Sequence, residues 1–101
     1  MAYGYGDFVT TDRRLAILHI LAADPGYSVN HAVMQTALEE IGHTVSRDQV
    51  TTDFAWLAEQ GLITLDVVHD KIHVARLTAR GADVEAGRAT VPGVKRPGPR
   101  A

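Results

Sequence analysis

The side chains best suited to chemistry in this 101-residue sequence lie at the start of one helical segment. Ser46, Arg47, Gln49 and Thr52 fall within its first two turns. Arginine can donate two hydrogen bonds to guanine, glutamine pairs in the same way with adenine, and serine and threonine can bond to either base. A helix with such side chains in its first turns can read base edges in the major groove of DNA. These four residues are therefore predicted to contact DNA.

Other segments supply positive charge that DNA phosphates would attract. The further candidates for DNA contact are Arg13, Arg14, Lys71, His73, Lys95, Arg96 and Arg100. The formal net charge of −2 opposes DNA binding, and Asp48 and Asp53 lie on the candidate helix itself. Residues 91–101 hold three basic residues and no acid, so the tail is basic and the body is acidic. We therefore predict weak to moderate, salt-sensitive binding of double-stranded DNA, and we expect deletion of residues 91–101 to lower the salt slope by about 2 to 3.

The five histidines and the carboxylates do not form a recognisable catalytic or metal site. A zinc site needs three or four converging ligands. The sequence offers His69 and His73 around one predicted turn and has no cysteine. No serine, histidine and carboxylate set has catalytic spacing, and no glycine-rich phosphate loop follows a strand. No enzymatic activity, cofactor or metal site is predicted.

The first predicted helix spans about residues 12–23. Thr11 is a suitable cap, and the sequence Asp24-Pro25-Gly26 ends the helix. Residues 1–10 precede it as a glycine- and aromatic-containing arm. Phe8 is expected to cover the end of the helix while the rest frays, and the alternative is an arm that orders only against a partner.

The second predicted helix begins at residue 30 or 31 and ends near residue 41, with Ser28 or Asn30 as its cap. Its expected apolar stripe comprises Val33, Met34, Ala37, Leu38 and Ile41. Gly42 is the expected left-handed stop. The short connection that follows predicts a steep angle to the next helix, as in a helix-turn-helix.

The third predicted helix starts at Ser46 and ends near residue 60. Ser46 and Gln49 form the pattern of a capping box, and Val45 and Val50 occupy the two positions of a hydrophobic staple. Because two independent start signals coincide, this boundary is the best defined in the sequence.

Two alternating runs after the third helix predict a β-hairpin. The first run alternates Ile63, Leu65 and Val67 with Leu62, Thr64 and Asp66. The second alternates Ile72 and Val74 with Lys71, His73 and Ala75. His69-Asp70 is a weak tight-turn signal, so the loop can exceed two residues. A last helix, about 79–88, is capped by Thr78 and carries Gly81 in its first turn, which a close backbone approach would explain.

This order of elements predicts an α+β fold, namely a winged helix-turn-helix with three helices, a β-hairpin wing and a C-terminal helix. The expected organisation is an arm over residues 1–10, a winged-helix domain over 11–90 and a basic proline- and glycine-containing tail over 91–101. The tail is expected to follow a DNA groove as an arm or to remain solvated and disordered.

Trp56 and Val84 are the candidate dimer or partner contacts. Trp56 lies away from the apolar face of the third helix, so it either packs against the hairpin or anchors an interface. The last helix has a thin apolar stripe with Val84 as its main anchor. Together these features predict a homodimer, and a two-fold dimer suits palindromic DNA.

The chain resembles the small, regulator-like winged-helix proteins of Mu-like bacteriophages. The segments that carry the resemblance are residues 11–15, 46–50, 53, 56–57, 60–62, 77–78, 80–81, 83–84, 87 and 91–97. The resemblance covers nearly the whole chain, and the tail is its most specific part. It implies a phage or prophage origin and a location in the bacterial cytoplasm, which agrees with the absence of a membrane-spanning run or a signal peptide.

Two functions follow as expectations. The first is a phage-encoded DNA-binding protein that acts as a transcriptional regulator. The second is a protein–protein interaction module on the same fold, such as an adaptor in phage DNA packaging or host takeover. Charge discriminates them, because a DNA-binding protein should present a basic face formed by Arg13, Arg14, Arg47, Lys71 and the tail.

Overall fold

A computed structural model describes residues 4–99 as four helices and a small antiparallel sheet. The elements in chain order are α1 (Tyr5–Ala23), β1 (Ser28–Asn30), α2 (His31–Glu40), α3 (Arg47–Glu59), β2 (Ile63–Val68), β3 (Ile72–Leu77) and α4 (Ala79–Glu85). The α+β class, the four helices and the hairpin are confirmed. The strand β1 is a finding that the sequence did not predict.

Helix α1 begins seven residues earlier than predicted, at Tyr5 rather than near Asp12. Gly4 occupies its N-cap without a side-chain hydrogen bond. Thr11 lies inside the helix, where its hydroxyl donates to the carbonyl oxygen of Phe8, so its predicted role as a cap is wrong. Residues 5–10, predicted as an arm, are the first turns of α1, whereas Tyr3 lies outside the described residues.

Local capping signals fixed the starts of the other three helices. The side chains of Asn30, Ser46 and Thr78 accept hydrogen bonds from the backbone N–H groups of Val33, Gln49 and Gly81, respectively. Each bond satisfies one of the N–H groups that a helix start leaves without a partner. The ends of the second and third helices agree with prediction to about one residue, and α4 ends at Glu85 rather than near Arg88.

The three strands form a sheet of order β1-β3-β2, and both pairs are antiparallel. Residues 69–71 connect the paired residues Val68 and Ile72, so the loop does exceed two residues. Its hydrogen bond runs from the N–H of Lys71 to the carbonyl of Val68, and His69 and Asp70 have φ of 52° and 57°. Two positive φ values are characteristic of a type I′ turn, which suits the right-handed twist of a hairpin.

The core lies between the helices and one face of the sheet. Its buried apolar residues are Leu15, Ala16, Ile17, Leu18, Leu21, Val29, Met34, Leu38, Val50, Phe54, Leu57, Leu62, Ile63, Ala75, Val84 and Val91. Three members of the predicted stripe of α2 are absent from it, since Val33 and Ile41 are 55% and 58% exposed and Ala37 is only half-buried.

Gly81 lies where α4 meets the turn that precedes β2. A Cβ atom at this position would overlap the carbonyl oxygen of Leu62 and lie 2.8 Å from Cδ1 of Leu77. The close backbone approach predicted from the glycine is therefore confirmed. Among the described residues, no helix is long and apolar enough to cross a membrane.

Candidate functional site

The first turns of α3 are exposed, but several of their side chains are already engaged. Arg47 donates from Nε to Oε1 of Gln35 at 3.1 Å. Gln49 donates to Asp53 at 3.2 Å rather than back to Ser46, so only the serine half of the predicted capping box forms. Thr52 donates to the carbonyl oxygen of Asp48. Of the four residues predicted to contact bases, Arg47 has the most side-chain N–H groups that could still donate a hydrogen bond to DNA.

Arg13 and Asp53 form a buried ion pair between α1 and α3. Nε of Arg13 lies 2.6 Å from one carboxylate oxygen of Asp53, and its NH2 group lies 3.3 Å from the other. The side chains are 7% and 2% exposed. This placement removes Arg13 from the DNA-contacting candidates, and it also removes the charge of Asp53 from the surface of α3.

The outward face of α3 is acidic. At 100° per residue, the positions opposite the buried Val50, Phe54 and Leu57 are residues 48, 52, 55 and 59. These are Asp48, Thr52, Ala55 and Glu59, and all four are exposed. A helix that enters the major groove must bring this face close to phosphates, and here the face carries two acids and no base.

The tail lies on the body of the protein over Trp56. The guanidinium of Arg14 stacks on the Trp56 ring at 3.8 Å from its centroid and donates to the carbonyl oxygen of Gly93 at 3.0 Å. Val91 is buried and Val94 packs against the core. The expectations of a groove-following or disordered tail are therefore wrong for residues 91–95. Trp56 and Arg14 are covered by their own chain, which removes the predicted partner contact of Trp56.

Asp12 connects this tail to the turn between α2 and α3. Its carboxylate accepts from Nε2 of His43 at 2.8 Å and from Nζ of Lys95 at 3.2 Å. Burial raises the pKa of Asp12, but the hydrogen bonds and charges of His43 and Lys95 outweigh burial and hold the pKa below its usual value. Lys95 is thereby engaged on the body, and its predicted DNA contact would require this pair to break.

Replacement of Gly93 by alanine is expected to undock the tail. Gly93 has φ of +98°, and a Cβ would lie 2.7 Å from Cζ2 of Trp56. We expect a loss of about 1–3 kcal/mol in the free energy of unfolding and a red shift in the emission of Trp56, the single tryptophan. Gly98→Ala, with nothing within 4 Å of the added carbon, is the matched control. An unshifted emission spectrum for Gly93→Ala would contradict the docked tail.

The hairpin tip combines three half-exposed apolar side chains with the exposed polar residues His69, Asp70 and Lys71. Val67, Val68 and Ile72 are 50%, 40% and 40% exposed, and Lys71 is exposed beside them. His73 does not point freely outward, since its backbone N–H donates to Nδ1 of His31 and the two rings meet edge to face at 5.3 Å. Lys71 thus remains accessible as predicted, whereas His73 packs against His31 at the start of α2.

The other residues predicted to contact DNA or a partner lie in the core, on the surface or outside the described residues. Val84 is 2% exposed and packs in the core, so it cannot serve as the predicted interface residue. Arg96 is exposed. Arg100 lies outside the described residues. The basic face expected of a DNA-binding protein therefore lacks Arg13, Arg14 and Lys95.

Sequence reasoning missed an exposed apolar face on α2. Ala32, Val33, Thr36 and Ala37 line a shallow depression of about 410 Å³ together with Arg47. The four-residue spacing of Val33, Ala37 and Ile41 predicts core positions, and none of the three is fully buried. The stronger signal was that Met34 and Leu38 already define a buried face, which leaves Val33 on the other side of a short helix.

Four of the five histidines, namely His19, His31, His43 and His73, contact other side chains. Besides the contacts of His31 and His43, Nδ1 of His19 lies 2.6 Å from Oε2 of Glu85 and ties α1 to α4. Within residues 4–99, no group of three or more histidine, cysteine, aspartate or glutamate side chains is placed to hold a metal ion.

Two proteins are similar to this chain over most of its length. The protein gp26 of Escherichia phage Mu is 48% identical over 95 residues, which cover 94% of this chain and 97% of gp26. A protein of Haemophilus influenzae is 38% identical over 76 residues, which cover 75% of this chain and 74% of that protein. No protein-family model matches the chain. This similarity relates the chain to a Mu phage protein and assigns no function to it.

Proposed function

This chain belongs to the family of the phage Mu protein gp26, and from that premise we propose that it is a non-enzymatic winged-helix module that binds another protein in the cytoplasm of the bacterial host. The order helix, strand, helix, helix, hairpin supports the winged-helix assignment, with α2 and α3 as the helix-turn-helix and β2–β3 as the wing. An adaptor role in phage DNA packaging or host takeover is consistent with this proposal.

The observation that carries the proposal is the acidic outward face of α3. Asp48 and Glu59 would face the phosphates of a bound duplex, and repulsion there opposes the counterion release that drives DNA binding. Fold alone does not decide function, since the same architecture serves several. The chemistry of the face favours a protein partner.

The wing tip is the surface on which we place the partner. Val67, Val68 and Ile72 present half-exposed apolar side chains that a phosphate backbone would not contact favourably. Val68 and Ile72 are cross-strand partners on one face of the hairpin, whereas Val67 points to the other face. Adjacent exposed apolar side chains can mark a protein contact. Asp70 and Lys71, both exposed beside them, supply charges of opposite sign for orientation.

Duplex DNA is the second candidate partner, and one observation favours it. The ion pair with Arg13 cancels the charge of Asp53, so α3 is less acidic than its sequence suggests. Within residues 4–99, the exposed cations that form no ion pair are Arg47, Lys71, Arg76, Arg80 and Arg96. These cations are spread over α3, the wing, α4 and the tail.

Site-specific photocrosslinking during phage growth tests the two candidates. A photoreactive amino acid at Ile72 samples the wing tip, and the same probe at Thr52 samples the outward face of α3. We expect the Ile72 probe to give a discrete protein adduct and the Thr52 probe to give no DNA adduct. Nuclease-sensitive adducts at Thr52, with none to protein at Ile72, would contradict the proposal.

A further inference from the structure

The strand β2 is an outer strand of the sheet, because the order β1-β3-β2 leaves one of its sides without a neighbouring strand among the described residues. The hydrogen bonds of β3 show which backbone groups of β2 are free. The backbone N–H groups of His73 and Leu77 donate to His31 and Tyr27, on the β1 side. Backbone groups point alternately to the two sides of a strand, so the even-numbered residues of β3 are those that bond to β2.

The residues of β2 that use their backbone groups in the sheet are the partners of those even-numbered residues, namely Thr64, Asp66 and Val68. Leu65 and Val67 therefore direct their N–H and C=O groups away from the sheet. Within residues 4–99, neither of them forms a backbone hydrogen bond outside the strand pairs. Ile63 has the same orientation but is 2% exposed, so the free edge begins at Leu65. The free backbone groups of Leu65 and Val67 are called the wing edge below.

The wing edge lacks the usual protection of an outer strand. Proteins commonly guard such an edge against other strands with lysine, proline or a bulge. The sequence of β2 contains no lysine or proline, and its residues pair with β3 in an unbroken register. Its single charged residue is Asp66, which is exposed and forms no ion pair within residues 4–99. The edge is thus open to strand pairing and carries one carboxylate.

We propose that the protein partner adds an extended strand to the wing edge, antiparallel to β2, with a lysine or arginine opposite Asp66. Pairing of this kind draws affinity from backbone hydrogen bonds and specificity from alternate side chains. Leu65 and Val67 would exchange about four backbone hydrogen bonds with the added strand. An antiparallel pair is slightly more stable per residue than a parallel one.

An added strand accounts for the apolar side chains on both faces of the wing. Val67 and Val68 are 50% and 40% exposed, and they point to opposite faces. A partner docked on one face would cover one of them. A strand beside β2 contacts both, because its own side chains alternate between the faces. From its N-terminus, the strand should carry apolar residues opposite Val68 and Val67, a cation opposite Asp66 and an apolar residue opposite Leu65.

Asp66 disfavours a second copy of this chain as the added strand. A two-fold pair that uses both free residues sets Leu65 of each copy opposite Val67 of the other, so the two Asp66 carboxylates oppose each other directly. Like charges directly opposite are destabilising, whereas opposite charges stabilise a pair of strands. Arg76 lies on the same face of the sheet, opposite Thr64, and forms no ion pair with Asp66. The carboxylate therefore selects a basic strand from another protein.

The inference rests on the proposed function, because it takes the partner at the wing tip to be a protein. The two can fail separately. Crosslinks from Ile72 to a protein that persist in Val67→Pro would keep the protein partner and remove the added strand. The following test uses a synthetic peptide and needs no phage or host protein.

Amide hydrogen exchange of the full chain, followed by NMR, tests the proposal with a short peptide of the order apolar, apolar, lysine, apolar. At about 1 mM peptide, exchange at Leu65 and Val67 should slow at least about tenfold, and more than at their even-numbered neighbours. Unchanged exchange at both residues would overturn the proposal. Slowing without peptide as the protein concentration rises would also overturn it, because the added strand would then be a second copy.

Variants of β2 separate the backbone contribution from the charge. Val67→Pro removes one free N–H at a position where an outer strand tolerates proline, and it should raise the dissociation constant of the peptide at least about tenfold. Val67→Thr keeps the N–H and should leave the constant within about twofold.

Exchange of the charges keeps the test independent of how well the proline variant folds. Asp66→Lys should raise the dissociation constant of the lysine peptide about threefold to tenfold, and a peptide with glutamate in place of lysine should recover the wild-type constant to within about twofold. Because Asp66 is exposed, the variant should keep the wild-type melting temperature. Peptide binding that ignores both Asp66→Lys and Val67→Pro would overturn the proposal.

Discussion

Replacement of Arg13 by methionine should lower the free energy of unfolding by about 3–5 kcal/mol, because it leaves the carboxylate of Asp53 buried without its cation. Asp53 is 2% exposed, and its other side-chain partner is Gln49. The loss is a large part of the roughly 5–15 kcal/mol that holds a small domain together. Urea denaturation followed by circular dichroism measures it.

A variant that lacks both charges distinguishes two contributions to the free energy of unfolding. One is the destabilisation from a buried carboxylate without a partner, and the other is the net stabilisation from the intact ion pair. The double variant Arg13→Met with Asp53→Leu should recover most of the lost stability, since buried ion pairs are often no better than apolar residues of similar volume. A double variant as unstable as Arg13→Met alone would contradict this explanation. It would mean that the guanidinium stabilises the domain through contacts other than Asp53.

Replacement of Gly81 by alanine is the second large effect. The added carbon would overlap the backbone carbonyl oxygen of Leu62, and a backbone atom cannot turn aside as a flexible side chain can. We expect a loss of about 2–4 kcal/mol, despite the better helix propensity of alanine. For a domain of this size, that corresponds to a fall in melting temperature of more than about 10 °C.

Gly6→Ala is the matched control for Gly81→Ala. Gly6 also lies in a helix, and nothing lies within 4 Å of a carbon added there. Alanine should therefore stabilise α1 at this position, by up to about 1 kcal/mol. If the two variants melted at the same temperature, close packing at Gly81 would be refuted as the reason for glycine in α4.

The parts of the fold that the sequence predicted are those with local signals. Ser46 and Thr78 mark the starts of α3 and α4, because capping depends on residues only three positions apart in the sequence. The change of hydrophobic period after Gly61 likewise marks the hairpin within a few residues. Gly81 indicated a close contact because glycine is unfavourable in a helix without one.

The parts that the sequence did not predict depend on contacts distant in the chain. Residues 5–10 lack a capping side chain, yet α1 extends through them, where Lys95 lies over the Phe8 ring and donates its backbone N–H to the carbonyl oxygen of Thr11. The ion pair of Arg13 and Asp53 joins residues 40 apart. The three residues of β1 are too few to show an alternating pattern, and they form a strand because β3 pairs with them.

The predicted DNA contacts differ from the observed side-chain contacts more than the predicted helices and strands do, for the same reason. Arg13, Arg14 and Lys95 look like phosphate contacts when each is considered as an isolated positive charge. In the folded chain they neutralise Asp53, stack on Trp56 and bind Asp12. Sequence gives the sign of a charge, but its partner depends on the tertiary arrangement.

Titration of the protein into 20-base-pair duplexes at 50 mM salt, followed by fluorescence anisotropy, tests the central claim most directly. Random and phage-derived sequences should be compared with each other. Low salt favours binding, because even non-specific DNA-binding proteins gain affinity strongly there. Since α3 presents Asp48 and Glu59, we nevertheless predict no saturable binding of duplex DNA below about 20 µM protein. Sub-micromolar binding with a salt slope of about 4 or more would contradict the account, and a further gain in affinity on Asp48→Asn with Glu59→Gln would place the contact on α3.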